Sequence, residues 1–160
     1  MTYDERLASL ADCWRMLPPG GLLCCLDTPN RLWHVDRHTS HLPFFHWLPD
    51  PLAVRYARFS PYAPLRRVLG DFKPTPGNEE QLIRAGRGVS FHEFELAIAP
   101  VADLNVVSCR NNALVWRIKA GLPNDDDDGF MRSLMRLSPD AHAAWFFPRL
   151  DLIIEKPAHR

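Results

Sequence analysis

Prolines and glycines divide this sequence into short segments, and that division limits the folds that the chain can form. The run Pro18-Pro19-Gly20-Gly21 cannot continue a helix, because proline lacks the backbone N–H and clashes with the preceding turn. Ahead of that run, Thr2-x-x-Glu5 is a capping-box pattern. The apolar residues that follow it have the spacing of one helix face and are Leu7, Leu10, Ala11 and Trp14. The sequence therefore predicts an amphipathic helix from residue 3 to residue 16.

The next two apolar segments predict a β-hairpin. Residues 22–26 and 31–37 flank the turn residues Asp27-Thr28-Pro29-Asn30 and are rich in strand-favouring side chains. With a loop of two or four residues, Cys24 lies on the same face as Trp33, whereas a three-residue loop would place Cys25 there. In both cases alternation along the second strand directs Trp33 inward and the polar residues to the opposite face.

Two further strand signals occur in the second half of the chain. Residues 104–109 and 113–119 are β-rich and flank Asn111-Asn112, which predicts a second hairpin. Leu150, Leu152 and Ile154 predict a last strand. Residues 91–99 fit both a helix and a strand, and we favour the strand. Residues 52–59 fit either structure, and the pattern does not decide between them.

Four more segments predict short helices, each from a local start or stop signal. Ser60-Pro61 precedes a helix that ends at Gly70, and Asn78-x-x-Gln81 begins another that ends at Gly86. A third follows residue 128 with Phe130, Leu134 and Leu137 as its apolar stripe, and a fourth follows Ser138-Pro139. The chain therefore predicts an α+β fold: a mainly antiparallel sheet of about five or six strands flanked by four or five short helices. Its 160 residues predict one globular domain spanning residues 1–160.

Composition excludes several classes of protein. Net charge is zero, so no overall field steers the chain to nucleic acid or to an acidic membrane surface. No apolar run approaches the roughly 20 residues of a membrane helix, and the first residues lack the pattern of a secretory signal. Cys24 and Cys25 are adjacent, so the four cysteines do not suggest a disulfide framework. We expect a cytoplasmic protein that does not bind membranes.

Residues 31–47 hold four of the seven histidines and two of the five tryptophans. On the predicted strand, His34, Asp36 and His38 project from one face about 7 Å apart. Imidazole and carboxylate suit a divalent transition metal, and His41 or His46 would complete the ligand set from the following loop. This pattern predicts a metal-dependent hydrolase or nuclease, although it matches no established metal motif.

A second hypothesis concerns the basic segment from Arg55 to Arg87. It carries seven basic and three acidic side chains, and Arg66 and Arg67 are adjacent. Four aromatic residues interleave with these charges: Tyr56, Phe59, Tyr62 and Phe72. Cations beside stacking platforms are typical of single-stranded nucleic-acid binding, so the segment predicts a nucleic-acid-binding module.

A run of four aspartates precedes the helix predicted after residue 128. Asp125, Asp126, Asp127 and Asp128 are contiguous, so they lack the alternate spacing of a calcium loop. Carboxylates in this position stabilise the N-terminus of a helix. They are also able to mimic phosphates in the basic groove of a partner.

No coherent catalytic set occurs in the sequence, and the chain is rich in the residue types that anchor interfaces. We therefore expect a non-enzymatic interaction protein without a cofactor, an accessory or inhibitor type that binds another macromolecule. The expected partner is a protein or a ribonucleoprotein, and direct nucleic-acid binding is the alternative. The predicted binding surface comprises Trp33, Trp47, Arg66, Arg67, Asp125, Asp126, Asp127 and Asp128.

Overall fold

The computed structural model describes residues 1–109 and 126–158, without the side chains of residues 126–128. These residues form an α+β fold, as predicted, with six α-helices and a three-stranded antiparallel sheet. The helices are α1 (Tyr3–Met16), α2 (Asp50–Tyr56), α3 (Ala63–Leu69), α4 (Pro76–Ala85), α5 (Phe91–Ala97) and α6 (Asp126–Leu137). The strands are β1 (Leu22–Pro29), β2 (Asn105–Cys109) and β3 (Arg149–Glu155).

The prediction of five or six strands is wrong, because the described sheet has three, in the order β1-β3-β2. The first strand does not form a hairpin with residues 31–37, which make turns. It pairs instead with the last strand, so that Leu23 lies opposite Ile154. The last strand supplies fully buried apolar side chains, whereas residues 31–37 carry four polar or charged groups that a central strand does not accommodate. The predicted partner strand at residues 113–119 lies outside the described residues.

A capping box begins both the first helix, which was predicted, and the fifth helix, where we favoured a strand. At the start of α1, the Thr2 hydroxyl accepts the Glu5 N–H at 3.2 Å, and the Glu5 carboxylate accepts the Thr2 N–H at 2.7 Å. The strand favoured at residues 91–99 is wrong, since α5 occupies most of that segment. In this helix the Glu93 carboxylate accepts hydrogen bonds from the Ser90 N–H at 3.3 Å and from the Ser90 hydroxyl at 3.2 Å. These two bonds stabilise the first turn.

The remaining helices differ from the predictions at their ends. Residues 52–59 are helical, as the end of α2 and a 3-10 turn at Ala57–Phe59. The third helix begins at Ala63, and the fourth begins after Thr75, whose hydroxyl accepts the Asn78 N–H. The sixth helix begins at Asp126, within the aspartate run that was predicted to precede it, and it buries Met131 and leaves Leu137 exposed. In place of the helix predicted after Ser138-Pro139, the structure has a 3-10 turn at Ala143–Trp145.

Buried apolar side chains form three clusters. One lies between the sheet and α5, and contains Phe91, Phe94, Leu150, Leu152 and Ile154. The second joins α2, α3 and α4, and contains Phe45, Val54, Leu65, Leu69 and Leu82. The third consists of Trp33, Met131 and Phe147. Residues 30–49 connect these clusters.

Within residues 1–109 and 126–158, no helix is both long and apolar enough to cross a membrane.

Candidate interaction surface

Residues 34–44 form a loop that closes on itself. The N–H of Asp36 donates to the carbonyl of Leu42 at 3.0 Å, and the N–H of Phe44 donates to the carbonyl of His34. Phe44 adopts the left-handed backbone conformation, with φ at 56°, which turns the chain sharply after Pro43. These contacts place His34 and Phe44 side by side although they are ten residues apart.

The Asp36 carboxylate holds this loop from the inside. It accepts the backbone N–H groups of His38 and Thr39 at 2.9 Å each, and that of Ser40 at 2.6 Å. The Nε2 of buried His46 lies 3.1 Å from Oδ1, at ion-pair distance but outside hydrogen-bond alignment. Burial alone would raise the pKa of Asp36, but His46 and these N–H donors outweigh burial and hold the pKa well below its usual range.

Arg87 fixes the segment that follows this loop. Its Nη2 donates to the carbonyls of Phe45, His46 and Leu48 at 2.7 to 3.1 Å, and its Nη1 donates to Asp50 at 2.7 Å. Burial lowers the pKa of Arg87 to about 10, so the guanidinium stays charged at neutral pH. A buried guanidinium with this many partners determines the backbone of the 3-10 turn at Phe45–Trp47.

Three rings on this backbone and one ring from α6 form a row at the surface, which we call the aromatic row: Phe130, His34, Phe44 and Trp47. Successive ring centroids lie 4.7, 6.5 and 5.0 Å apart. Phe130 is 45% exposed, Phe44 is 51% exposed and Trp47 is 54% exposed. Half-exposed aromatic side chains in contact with one another are typical of a patch that binds another molecule.

A groove of about 470 Å³ adjoins the aromatic row, with Phe44 in both. Its lining consists of Pro43, Phe44, Leu48, Leu52, Arg55, Tyr56, Arg58 and Phe59. That lining contains two cations and no carboxylate. Within the described part of the chain, Arg55 and Arg58 form no ion pair. The Arg58 guanidinium lies 4.6 Å from the centroid of the Phe59 ring. The groove is therefore apolar at its base and positively charged at its rim.

The predicted binding residues do not all lie at this surface. Trp33 was predicted to bind a partner, but it is 3% exposed and packs against Met131 and Phe147, so that prediction is wrong. Trp47 lies at the surface. Arg66 and Arg67 are exposed on α3, outside the groove. Asp125 and the side chains of Asp126, Asp127 and Asp128 lie outside the described residues.

The predicted metal ligands have three different environments. The strand that was to align them is wrong: Asp36 is buried inside the loop, His38 is exposed and His34 packs against the Phe130 ring. Asp36 is instead surrounded by backbone N–H groups, which are not metal ligands. Among the residues that the structure describes, no group of three His, Cys, Asp or Glu side chains is arranged to hold a metal ion.

The basic segment is less accessible than its composition indicates. Arg87 is buried, Arg84 pairs with Glu80, and Lys73 pairs with Asp71. Four of the seven cations remain exposed without an ion pair to a described residue, and two of these line the groove: Arg55, Arg58, Arg66 and Arg67.

Sequence reasoning included half of the groove residues in the basic segment, namely Arg55, Tyr56, Arg58 and Phe59, and missed the other half, namely Pro43, Phe44, Leu48 and Leu52. Phe44, Leu52 and Phe59 are each more than half exposed. For Phe44 the signal is the pair of prolines at residues 43 and 49, which limits the stretch between them to a short 3-10 turn, whereas Pro51 and Leu52 lie inside α2. That signal indicates that some rings stay exposed, but not which ones. No protein-family model, curated protein or solved structure matches the chain.

Proposed function

We propose that this protein acts without catalysis, as an accessory or inhibitor that binds another protein through the groove and the aromatic row. The proposed ligand is a short segment of the partner that carries apolar and acidic side chains. The observation that supports this proposal is the combination in one place of exposed aromatic rings, a groove of about 470 Å³ and two arginines without carboxylate partners among the described residues.

The apolar part of the surface provides the affinity. Covering the exposed half of one aromatic side chain removes about 100 Å² from water, which contributes about 2.5 kcal/mol. Phe44, Trp47 and Phe59 each offer such a half-exposed ring. The groove also has the volume of sites that bind small molecules or peptide side chains, about 300 to 1,000 Å³.

The charge of the rim provides selectivity. Arg55 and Arg58 are exposed, and a guanidinium forms two parallel hydrogen bonds with a carboxylate. Each such pair at an exposed rim contributes about 0.2 to 1 kcal/mol, and a lysine in the same place would be repelled. An acidic ligand is therefore favoured over a basic one of the same apolar content.

The rigidity of the surface limits the cost of binding. Asp36 fixes the loop that carries Phe44, and Arg87 fixes the turn that carries Trp47. A backbone that is already held in place loses less conformational entropy when a ligand covers its side chains.

Selection of peptides from a displayed random library tests this proposal. Wild-type protein is the bait, and a double variant, Phe44→Ser with Trp47→Ser, is the comparison bait. The matched control is Leu96→Ser, which removes an equally exposed apolar side chain from α5. We expect the wild type and the control to enrich peptides with aromatic or aliphatic residues beside Asp or Glu, and the double variant to lose them.

Two outcomes would contradict the proposal. One is that no peptide is enriched on the wild type, or that the double variant retains the same peptides. The other is that a single-stranded RNA oligonucleotide binds through the four exposed arginines while acidic peptides do not bind, which would favour the nucleic-acid hypothesis.

A further inference from the structure

The first strand lies at an edge of the described sheet, and its backbone groups have defined directions. The N–H of Lys156 donates to the carbonyl of Gly21 at 2.8 Å, so the Gly21 carbonyl faces the last strand. Backbone groups alternate in direction along an antiparallel strand, so those of Leu23 and Cys25 also face β3. The N–H groups of Leu22, Cys24 and Leu26 therefore point away from the sheet, and no described residue accepts a hydrogen bond from them.

The first half of this edge lacks the features that usually keep edge strands apart, whereas Asp27, Pro29 and a register shift occur in its second half. Residues 22–26 contain no charged residue and no proline, and the irregularity of the strand begins only after Cys25. Leu22 is 52% exposed, Leu26 is 61% exposed and Cys24 is exposed between them. Unpaired N–H groups beside exposed leucines favour the addition of another strand.

We infer that this edge binds the same edge of a second copy of the chain. An antiparallel arrangement with a twofold axis at Cys24 places Cys24 opposite Cys24 of the other copy and Leu22 opposite its Leu26. This register pairs all three outward-pointing residues, giving six backbone hydrogen bonds by the antiparallel pattern. The Leu26 carbonyl already accepts the Thr28 hydroxyl at 3.1 Å and has a second lone pair for the new bond.

The second copy is favoured over a foreign strand because the edge is self-complementary. Two leucines and a cysteine, symmetric about Cys24, meet an identical set, and cross-strand apolar pairs stabilise a sheet. A two-fold symmetric contact of this kind is the commonest way in which soluble chains form dimers. It would join two three-stranded sheets into one of six strands.

Sedimentation equilibrium of the full chain, with a reducing agent present, measures the dimer directly. The test variant is Cys24→Lys, which places two ammonium groups opposite each other across the twofold axis. Its matched control is Cys13→Lys, which introduces the same charge at an exposed cysteine of α1. We expect a wild-type dimer whose Kd rises about fivefold or more in Cys24→Lys and is unchanged in Cys13→Lys.

Oxidative cross-linking provides a second measurement that does not require Cys24→Lys to fold. Directly opposed residues of a hydrogen-bonded pair have Cα atoms about 5.5 Å apart, within the range for a disulfide. Copper phenanthroline under oxygen takes two electrons and two protons from the two thiols as the S–S bond forms. We expect a covalent dimer in Cys13→Ser and none in the double variant Cys13→Ser with Cys24→Ser, which also lacks the exposed Cys13.

The inference is independent of the proposed function, since none of the residues at this edge lines the groove. It is overturned if the wild type is monomeric up to millimolar concentration. It is also overturned if Cys24→Lys associates as tightly as Cys13→Lys, because the dimer would then use another surface.

Discussion

Replacing Asp36 by alanine tests how the loop of residues 34–44 is held. The substitution leaves the N–H groups of His38, Thr39 and Ser40 without their acceptor, and it leaves His46 without its carboxylate. A buried donor that loses a charged acceptor costs about 1 to 3 kcal/mol, but the losses within one network do not add. Because the N–H groups of Thr39 and Ser40 are buried, we expect a loss toward the top of that range, about 2 to 3 kcal/mol.

Urea unfolding followed by circular dichroism measures this loss as a lower midpoint at an unchanged slope. The matched control is Asp71→Ala, because Asp71 also accepts the N–H of the residue two positions later, Lys73, at 3.1 Å. Asp71 is exposed, so water replaces the lost bond and the control should lose far less. A loss for Asp36→Ala below about 1 kcal/mol, or equal to that of Asp71→Ala, would refute the argument.

The same carboxylate predicts a dependence of stability on pH. The pKa of Asp36 is lowered in the folded protein, so its contribution is fully present above the pKa of the unfolded chain, about 3.9. As pH falls below that value toward the folded pKa, the contribution is lost. The difference in unfolding free energy between the wild type and Asp36→Asn should be constant near neutral pH and should narrow below about pH 4. A difference that stays constant under acid conditions would show that the carboxylate is not held in its charged form.

Two other substitutions follow from the packing. Arg87→Lys should lower the free energy of unfolding by about 2 to 4 kcal/mol, because one ammonium group cannot replace the fork of donors to three carbonyls and Asp50. The exposed substitution Arg67→Lys is the control, and equal midpoints in urea would contradict the role of Arg87. Phe94→Ala should cost about 3 to 5 kcal/mol by leaving a cavity beneath the sheet, while peptide selection stays unchanged. A change in the selected peptides would show that this core supports the groove.

Elements with complete local signals were predictable from the sequence. The first helix has its capping box and its apolar face within 16 residues, and the last strand carries Leu150, Leu152 and Ile154 at every second position. Residues 91–99 show the limit of such signals. Glu93 has the position of an outward residue on an alternating strand, but in the structure it is fully buried. Its buried carboxylate accepts a hydrogen bond from Arg6 of α1 at 3.0 Å. That partner is 87 residues away, and no local pattern reveals it.

The histidine-rich stretch failed as a prediction for a related reason. On a strand, a polar side chain between apolar neighbours is directed to solvent. In this loop, however, the Asp36 carboxylate accepts hydrogen bonds from backbone N–H groups within the next four residues, so the side chain is buried. The loop that results turns Trp33 inward and Phe44 outward. Of the aromatic residues predicted to bind a partner, Trp47 is therefore at the surface and Trp33 is in the core.

A charge exchange across the groove is the most direct test of the proposed binding surface. The assay is fluorescence anisotropy with a labelled acidic peptide from the selection and with its counterpart in which lysine replaces each acidic residue. The proteins are the wild type, Arg55→Glu with Arg58→Glu, and the control Arg66→Glu with Arg67→Glu on exposed arginines outside the groove. We predict that the wild type and the control prefer the acidic peptide and that the groove variant prefers the lysine peptide. An unchanged preference in the groove variant, or an equal reversal in the control, would contradict binding at the groove.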